Sequence, residues 1–211
     1  MLAAQDAYLQ NVQATYRYYC FHVHNTNRKK EEWLWIPSKF HTFLCDKAQE
    51  FIEKPTDKAY EILILNTPPQ HGKSTTITAT LPSWFLMKNP DKKVIAVSYG
   101  DDLAQRFGKQ NLEKVKEYGN IFGVKLDKKK ANAQEFRIAN HTGVMISAGY
   151  GSGLTGNPAD LIVIDEDIFE DYSFYFFFLH PVCWNPVKEF LLKSSEETFH
   201  AGIVITVSNA A

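Results

Sequence analysis

Four short apolar runs limit what this chain can fold into: Glu61 to Leu65, Val94 to Tyr99, Leu161 to Ile164 and Gly202 to Val207. Each is too short for a buried helix, so each reads as a strand covered on both faces. Helical patterns lie between them. Phe40, Leu44, Ala48 and Ile52 recur every four residues, which predicts a helix over that stretch. The segment between the first two runs is long enough for a crossover helix. After the second run, Asp101 can cap a helix reaching Tyr118, with Leu103, Phe107, Leu112 and Val115 on its inner side. Glu135 to Ala139 and Val144 to Ser147 flank Asn140-His-Thr-Gly143 and read as a hairpin. Buried strands alternating with helices predict an α/β fold, with a mostly parallel central sheet flanked by helices.

Composition narrows the function. At 211 residues, 45 % apolar and 22 % charged, the chain can build a sizeable core and is neither disordered nor collagenous. A net charge of −1 excludes a strongly basic nucleic-acid coat while leaving room for a local basic patch. Three cysteines without repeated spacing argue against a disulfide framework and fit a reducing compartment. No signal-peptide pattern opens the chain, and Phe174 to Leu179 falls far short of the roughly 20 apolar residues a membrane helix needs. The expectation is a soluble intracellular protein. No linker divides it; the aromatic, polar residues 1–39 are expected to form helix and loop packed on a main domain over residues 40–211.

The strongest chemical signal follows the first strand. Thr67-Pro-Pro-Gln-His-Gly-Lys-Ser74 ends in Gly-Lys-Ser, as a phosphate-binding loop does between strand and helix. There Pro69, Gln70, His71, Gly72, Lys73, Ser74 and Thr75 would surround the phosphates. Gly72 lets the backbone approach, Lys73 supplies a point charge for the β- and γ-phosphates, and the Ser74 hydroxyl is placed for Mg²⁺. Thr67 stands where glycine is usual. Leu161-Ile-Val-Ile-Asp165-Glu166 is a strand ending in two carboxylates. Phosphoryl transfer needs one to hold the metal and one to orient the attacking water, roles assigned to Asp165 and Glu166. Asp167 reads as a capping or structural acid.

Other motifs carry less. Gly151-Ser-Gly153-Leu-Thr-Gly156 matches a dinucleotide fingerprint but opens no helix; it reads as a loop bordering the γ-phosphate or a plain turn. Cys20-Phe-His22-Val-His24 lacks a zinc spacing and a fourth ligand. His41 and Cys45 share a helix face and read as a packed pair. Lys128-Lys-Lys130 reads as a solvated turn, with a DNA phosphate contact as the sharper alternative.

Thr67 to Ser74 resembles the phosphate loop of bacteriophage terminase large subunits, which often read Pro-Pro-x-His-Gly-Lys-Ser. Leu81-Pro-Ser-Trp84, Asn89-Pro90, Val94 to Tyr99, Asp102-Leu-Ala104, Arg106-Phe-Gly108, Leu154-Thr-Gly156 and Ala159-Asp160 follow the same family in order, over roughly Trp35 to Asp167. The resemblance implies a P-loop NTPase fold of the ASCE type and an ATP hydrolase. ATP and Mg²⁺ would be its cofactors, with Lys73 and Glu166 as catalytic residues and Ser74 and Asp165 at the metal. It implies packaging of double-stranded viral DNA into a procapsid, with a portal protein and a terminase small subunit as partners and a homo-oligomeric ring on the portal. The implied setting is the cytoplasm of a bacterial host. The segment around Phe40 and His41 matches where the family approaches the adenine.

The chain also departs from the family. It stops at Ala211 before the nuclease domain, so cleavage is not expected of it. No arginine flanks Gly156, which leaves Arg106 and Arg137 as the nearby candidates for an arginine finger. Phe169 to Trp184 holds eight aromatics where the family is polar. That stretch is either deeply buried or no longer under the family's constraints, as after a frameshift in a prophage remnant. Gly202 to Val207 still reads as a strand, and Ser208-Asn209 could stand in the place of the family's coupling motif. A remnant binding nucleotide without turnover and a helicase-like ATPase are the alternatives; no further helicase motif follows Glu166.

Overall fold

The computed structural model describes residues 2–55, 60–67, 70–149, 152, 157–165 and 202–208. Three helices come first: α1 (Leu2–Ala14), α2 (Tyr16–Asn25) and α3 (Lys39–Glu53). Then follow β1 (Tyr60–Asn66), α4 (Lys73–Thr76), α5 (Leu81–Lys88), β2 (Lys93–Ser98) and α6 (Asp101–Tyr118). Five strands complete the order: β3 (Leu126–Ala131), β4 (Glu135–Ile138), β5 (Val144–Gly149), β6 (Leu161–Asp165) and β7 (Gly202–Ser208). All four apolar runs are strands, and the expected helices over 40–52 and 101–118 and the hairpin after Glu135 are present.

The strands make one seven-stranded sheet in the order β1-β7-β6-β2-β5-β4-β3. Only β2 pairs in parallel, with β5 on one side and β6 on the other; every other pairing is antiparallel. The sheet is therefore mixed, which corrects the expectation of a mostly parallel one. Part of the reason is connection length. The turns joining β3, β4 and β5 are too short for a crossover, so those strands must reverse. The other part is β7, which enters between β1 and β6 at their carboxyl ends, where Gly202 pairs with Asn66 and Ile203 with Asp165. It leaves at Tyr60, paired with Ser208. Ser208 thus stands at the opposite end of the sheet from Asp165, which removes it from the position expected of a coupling motif; Asn209 lies outside the described residues.

The core runs without a break from the N-terminal helices to the sheet. Tyr16 and Tyr19 of α2 are fully buried against Trp84 and Phe122. α5 is apolar all round and buried except at Lys88, as a helix enclosed by other elements must be. The crossover between β1 and β2 is broken into α4 and α5 rather than forming one helix. Pro82 causes the break: it has no N–H for the Thr78 carbonyl four residues back. Asn111 of α6 replaces it. Its Nδ2 donates to the Thr78 carbonyl at 3.0 Å, and its Oδ1 accepts from the Ser83 N–H at 3.0 Å. α6 comes this close to the sheet because Gly108 has no side chain; a Cβ there would fall onto the Ala133 carbonyl and 2.6 Å from Ser147 Oγ.

Two local expectations change. Gly100, not Asp101, caps α6, and the Asp101 carboxylate accepts from the Gly149 N–H at 2.7 Å instead, tying the start of α6 to the end of β5. Lys128 to Lys130 lie in β3 rather than in a turn, exposed on the strand that ends the sheet. Lysines on an edge strand discourage pairing with another chain.

Candidate functional site

The loop after β1 and the carboxyl end of β6 meet at the same edge of the sheet. Within the loop, Gln70 and Gly72 take left-handed backbone angles, φ 61° and 74°, which fold the chain back before α4 begins. Glycine at 72 is required twice over. The angle favours it, and a Cβ would lie 2.9 Å from His41 Nε2. Lys73 follows, 9 % exposed, while Gln70, His71 and Thr75 are exposed. Ser74 Oγ donates to Asp165 Oδ1 at 3.1 Å. That bond joins two motifs ninety-one residues apart, and Asp165 is fully buried where it forms. Asp160 helps set β6 in place: its carboxylate accepts from the Lys93 N–H at 2.7 Å and from Lys92 Nζ at 2.8 Å.

Residues to which the sequence reading gave other roles, or none, hold the loop and α4 from behind. His41 Nε2 lies 3.2 Å from the His71 carbonyl, and its Nδ1 lies 2.8 Å from Ser38 Oγ. A carbonyl only accepts, so Nε2 carries the proton and Nδ1 accepts from the serine. Trp35 packs edge-on against His41 and donates from Nε1 to Thr76 Oγ1 at 3.0 Å. Tyr16 donates its hydroxyl proton to the Thr76 carbonyl. His24 Nε2 lies 3.0 Å from Thr80 Oγ1, which itself donates to the Thr75 carbonyl at 2.7 Å, so the imidazole is the donor. Burial first, and the nearby Lys114 charge second, push the His24 pKa down to about 4, in keeping with a neutral ring. The dense aromatic and histidine content of residues 16–41 was the available signal, but no spacing rule says which loop such residues will grip.

The remaining candidates disperse. Pro69, Glu166, Asp167, the Gly151 to Gly156 motif apart from Ser152, and the aromatic stretch from Phe169 to Trp184 lie outside the described residues. Arg137 sits on β4, bonded to Glu135 at 2.8 Å and three strands from β6, too far along the sheet to reach Asp165. Arg106 is exposed on α6. His41 and Cys45 are not a pair, since Cys45 faces Cys20 with sulfurs 3.8 Å apart. His22 bonds Thr26, and no group of three metal-ligating side chains occurs among the described residues. No helix among them is long and apolar enough to cross a membrane.

The arrangement offers a left-handed loop, a lysine, a hydroxyl and a buried carboxylate at the carboxyl ends of β1 and β6, and strand carboxyl ends are the usual ligand edge of α/β sheets. A family model described as "Terminase large subunit, T4likevirus-type, N-terminal" matches residues 64–175, just over half of the chain and spanning both motifs. No curated protein and no solved structure matches the chain. With the ordered motifs and their meeting at one edge, the match assigns the chain: it belongs to the terminase large subunit family, in the N-terminal region of the T4likevirus type.

Proposed function

We propose that this chain is the ATPase domain of a DNA-packaging motor, with a P-loop NTPase fold over residues 40–211 and residues 1–39 packed on it. The observation that carries the reading is the Ser74–Asp165 hydrogen bond. A hydroxyl and a carboxylate held together at a phosphate loop are hard oxygen donors suited to Mg²⁺. Bound there, the metal–nucleotide complex would supply the phosphoryl group and the charge neutralisation its transfer requires.

The rest falls to the chain's own residues. The N–H groups that open α4 would point at the phosphates, and Lys73 would stand against the β- and γ-phosphates. Ser74 and Asp165 would hold the metal, while Glu166 would orient the attacking water. The His41 bond to the His71 carbonyl supports the reading by fixing the loop before any ligand arrives, which reduces the ordering cost of binding. The proposed substrate of the motor is double-stranded viral DNA. Its partners would be a portal protein, a terminase small subunit and further copies of the chain in a ring, within the bacterial cytoplasm.

Calorimetry with ATP and Mg²⁺, followed by phosphate release in the same sample, tests the proposal. Wild type is expected to bind, Lys73→Ala to lose binding, and Glu166→Gln to bind without releasing phosphate. Equal affinity for wild type and Lys73→Ala would refute the phosphate-loop assignment. Binding without release in wild type would make the chain a nucleotide-binding protein without turnover of its own.

A further inference from the structure

β2 ends at the same edge as β6, and its last residue is a buried serine with no assigned role. Ser98 is 1 % exposed, and its hydroxyl makes no hydrogen bond among the described residues. Such a group calls for an explanation, because a hydroxyl removed from water and left unpaired opposes folding. Its position supplies one. The register that pairs Val97 with Ile164 sets Ser98 alongside Asp165 in the neighbouring parallel strand. Adjacent strands are about 4.8 Å apart, and laterally matched residues project to the same face. Ser74 reaches Asp165 on that face.

On its other side Ser98 pairs with Gly149, whose N–H is taken by Asp101. Neither neighbour uses the hydroxyl. Ser98 and Asp165 are buried side by side, so a ligand that reaches the carboxylate comes within hydrogen-bonding reach of the serine.

We infer that Ser98 is a ligand-contacting residue of the nucleotide site, its hydroxyl bonding an oxygen in the shell of the magnesium–nucleotide complex held by Ser74 and Asp165. The inference rests on the ATP-binding reading above. Mg²⁺ keeps several waters when it binds through one or two protein oxygens, and each needs an acceptor beyond the metal. A lone carboxylate cannot serve them all. The oxygen that Ser98 meets is either one of these waters or a γ-phosphate oxygen, and a hydroxyl can serve both because it donates and accepts.

The test compares wild type, Ser98→Ala, Ser98→Thr and Ser147→Ala by calorimetry, using Mg²⁺ with ADP and with a non-hydrolysable ATP analogue, and by thermal melting without ligand. Ser147 is a control with the same defect in a different place. It is buried, its hydroxyl is also unpaired, and it pairs with Ala96, two residues back from the edge. Ser98→Ala should weaken binding by about tenfold or more, since hydrogen bonds to charged groups are worth at least that. It should melt no lower than wild type, because it removes an unpaired hydroxyl; Ser98→Thr should retain most of the affinity. Ser147→Ala should match wild type in binding.

Loss confined to the triphosphate analogue identifies the γ-phosphate as the contact. Loss with both nucleotides, abolished when Mg²⁺ is omitted, identifies the metal's water. Unchanged binding by Ser98→Ala while wild type binds and Lys73→Ala does not would overturn this inference alone. So would a lower melting temperature with unchanged affinity. Wild type and Lys73→Ala both failing to bind would overturn the ATP reading, and this inference with it.

Discussion

Replacing Asn111 with alanine should destabilise the chain far more than loss of a small polar side chain suggests. In the folded state Asn111 serves two backbone groups that nothing else serves among the described residues. Thr78 has lost its helical donor to Pro82, and the Ser83 N–H lies in the first turn of α5, where no intrahelical acceptor is available. The third contact, to the Phe107 carbonyl at 2.9 Å, lies within α6, where the helical backbone bond remains. Two buried backbone groups left unpaired at about 1–3 kcal/mol each give a loss of about 2–6 kcal/mol. Against a total stability of about 5–15 kcal/mol, that is a large share. Urea denaturation of wild type, Asn111→Ala, Pro82→Ala and the double variant measures it. Pro82→Ala returns an N–H near the Thr78 carbonyl, so the double variant should recover part of the loss, a non-additivity of about 1 kcal/mol or more. A loss below about 1 kcal/mol for Asn111→Ala, or strict additivity, would refute the claim that Pro82 and Asn111 are two halves of one substitution for a helix bond.

Gly72→Ala should weaken nucleotide binding by displacing the loop, because the new Cβ meets His41 Nε2 and φ of 74° disfavours any side chain. Combining it with His41→Ala should restore part of the affinity by removing the collision but not the strain; no recovery would show that His41 is not what the loop rests on. Acid should also destabilise the fold through His24. Its folded pKa of about 4 lies below the ordinary 6.5, so the folded state binds fewer protons than the unfolded one. The stability this contributes is complete above pH 6.5 and is lost as the pH falls toward 4, by up to about 3 kcal/mol. Denaturation midpoints between pH 4 and pH 7.5 should show a shallower slope for His24→Gln. His22, also pushed down by burial, retains its own smaller share.

Most of the site's position was legible because it depends on local pattern. A short apolar run followed by Gly-Lys-Ser, and another ending in Asp-Glu, identify strands and the ends at which the candidate residues stand. The Ser74–Asp165 bond follows once those ends share an edge. Direction was not legible. The apolar runs read the same forwards and backwards, so nothing in 202–207 distinguishes an antiparallel insertion from a parallel one. β3 was missed because lysines and an exposed edge leave no apolar signal. The residues that grip the loop from behind, His24, Trp35 and His41, act across tertiary distances that no spacing rule covers. Ser98 looked like an ordinary strand residue, and only the register beside Asp165 and its unused hydroxyl mark it out.

The insertion of β7 also sets an order in time. β1 is bonded to β7 and to no other strand in the described sheet, and β7 alone joins it to β6. The strands β2, β5 and β6 with the hairpin can assemble among themselves from contacts between residues 93 and 165. Joining β1 to them requires closing a loop of well over a hundred residues, an entropically slow step compared with local pairing. During synthesis β1 and the loop that follows it therefore emerge early and wait. They come into register with their carboxylate partner only after the ribosome has made residues 202–208. β1, the first strand made, joins the sheet only through β7, the last, so the edge at which Ser74 meets Asp165 takes its full form only after that stretch is made.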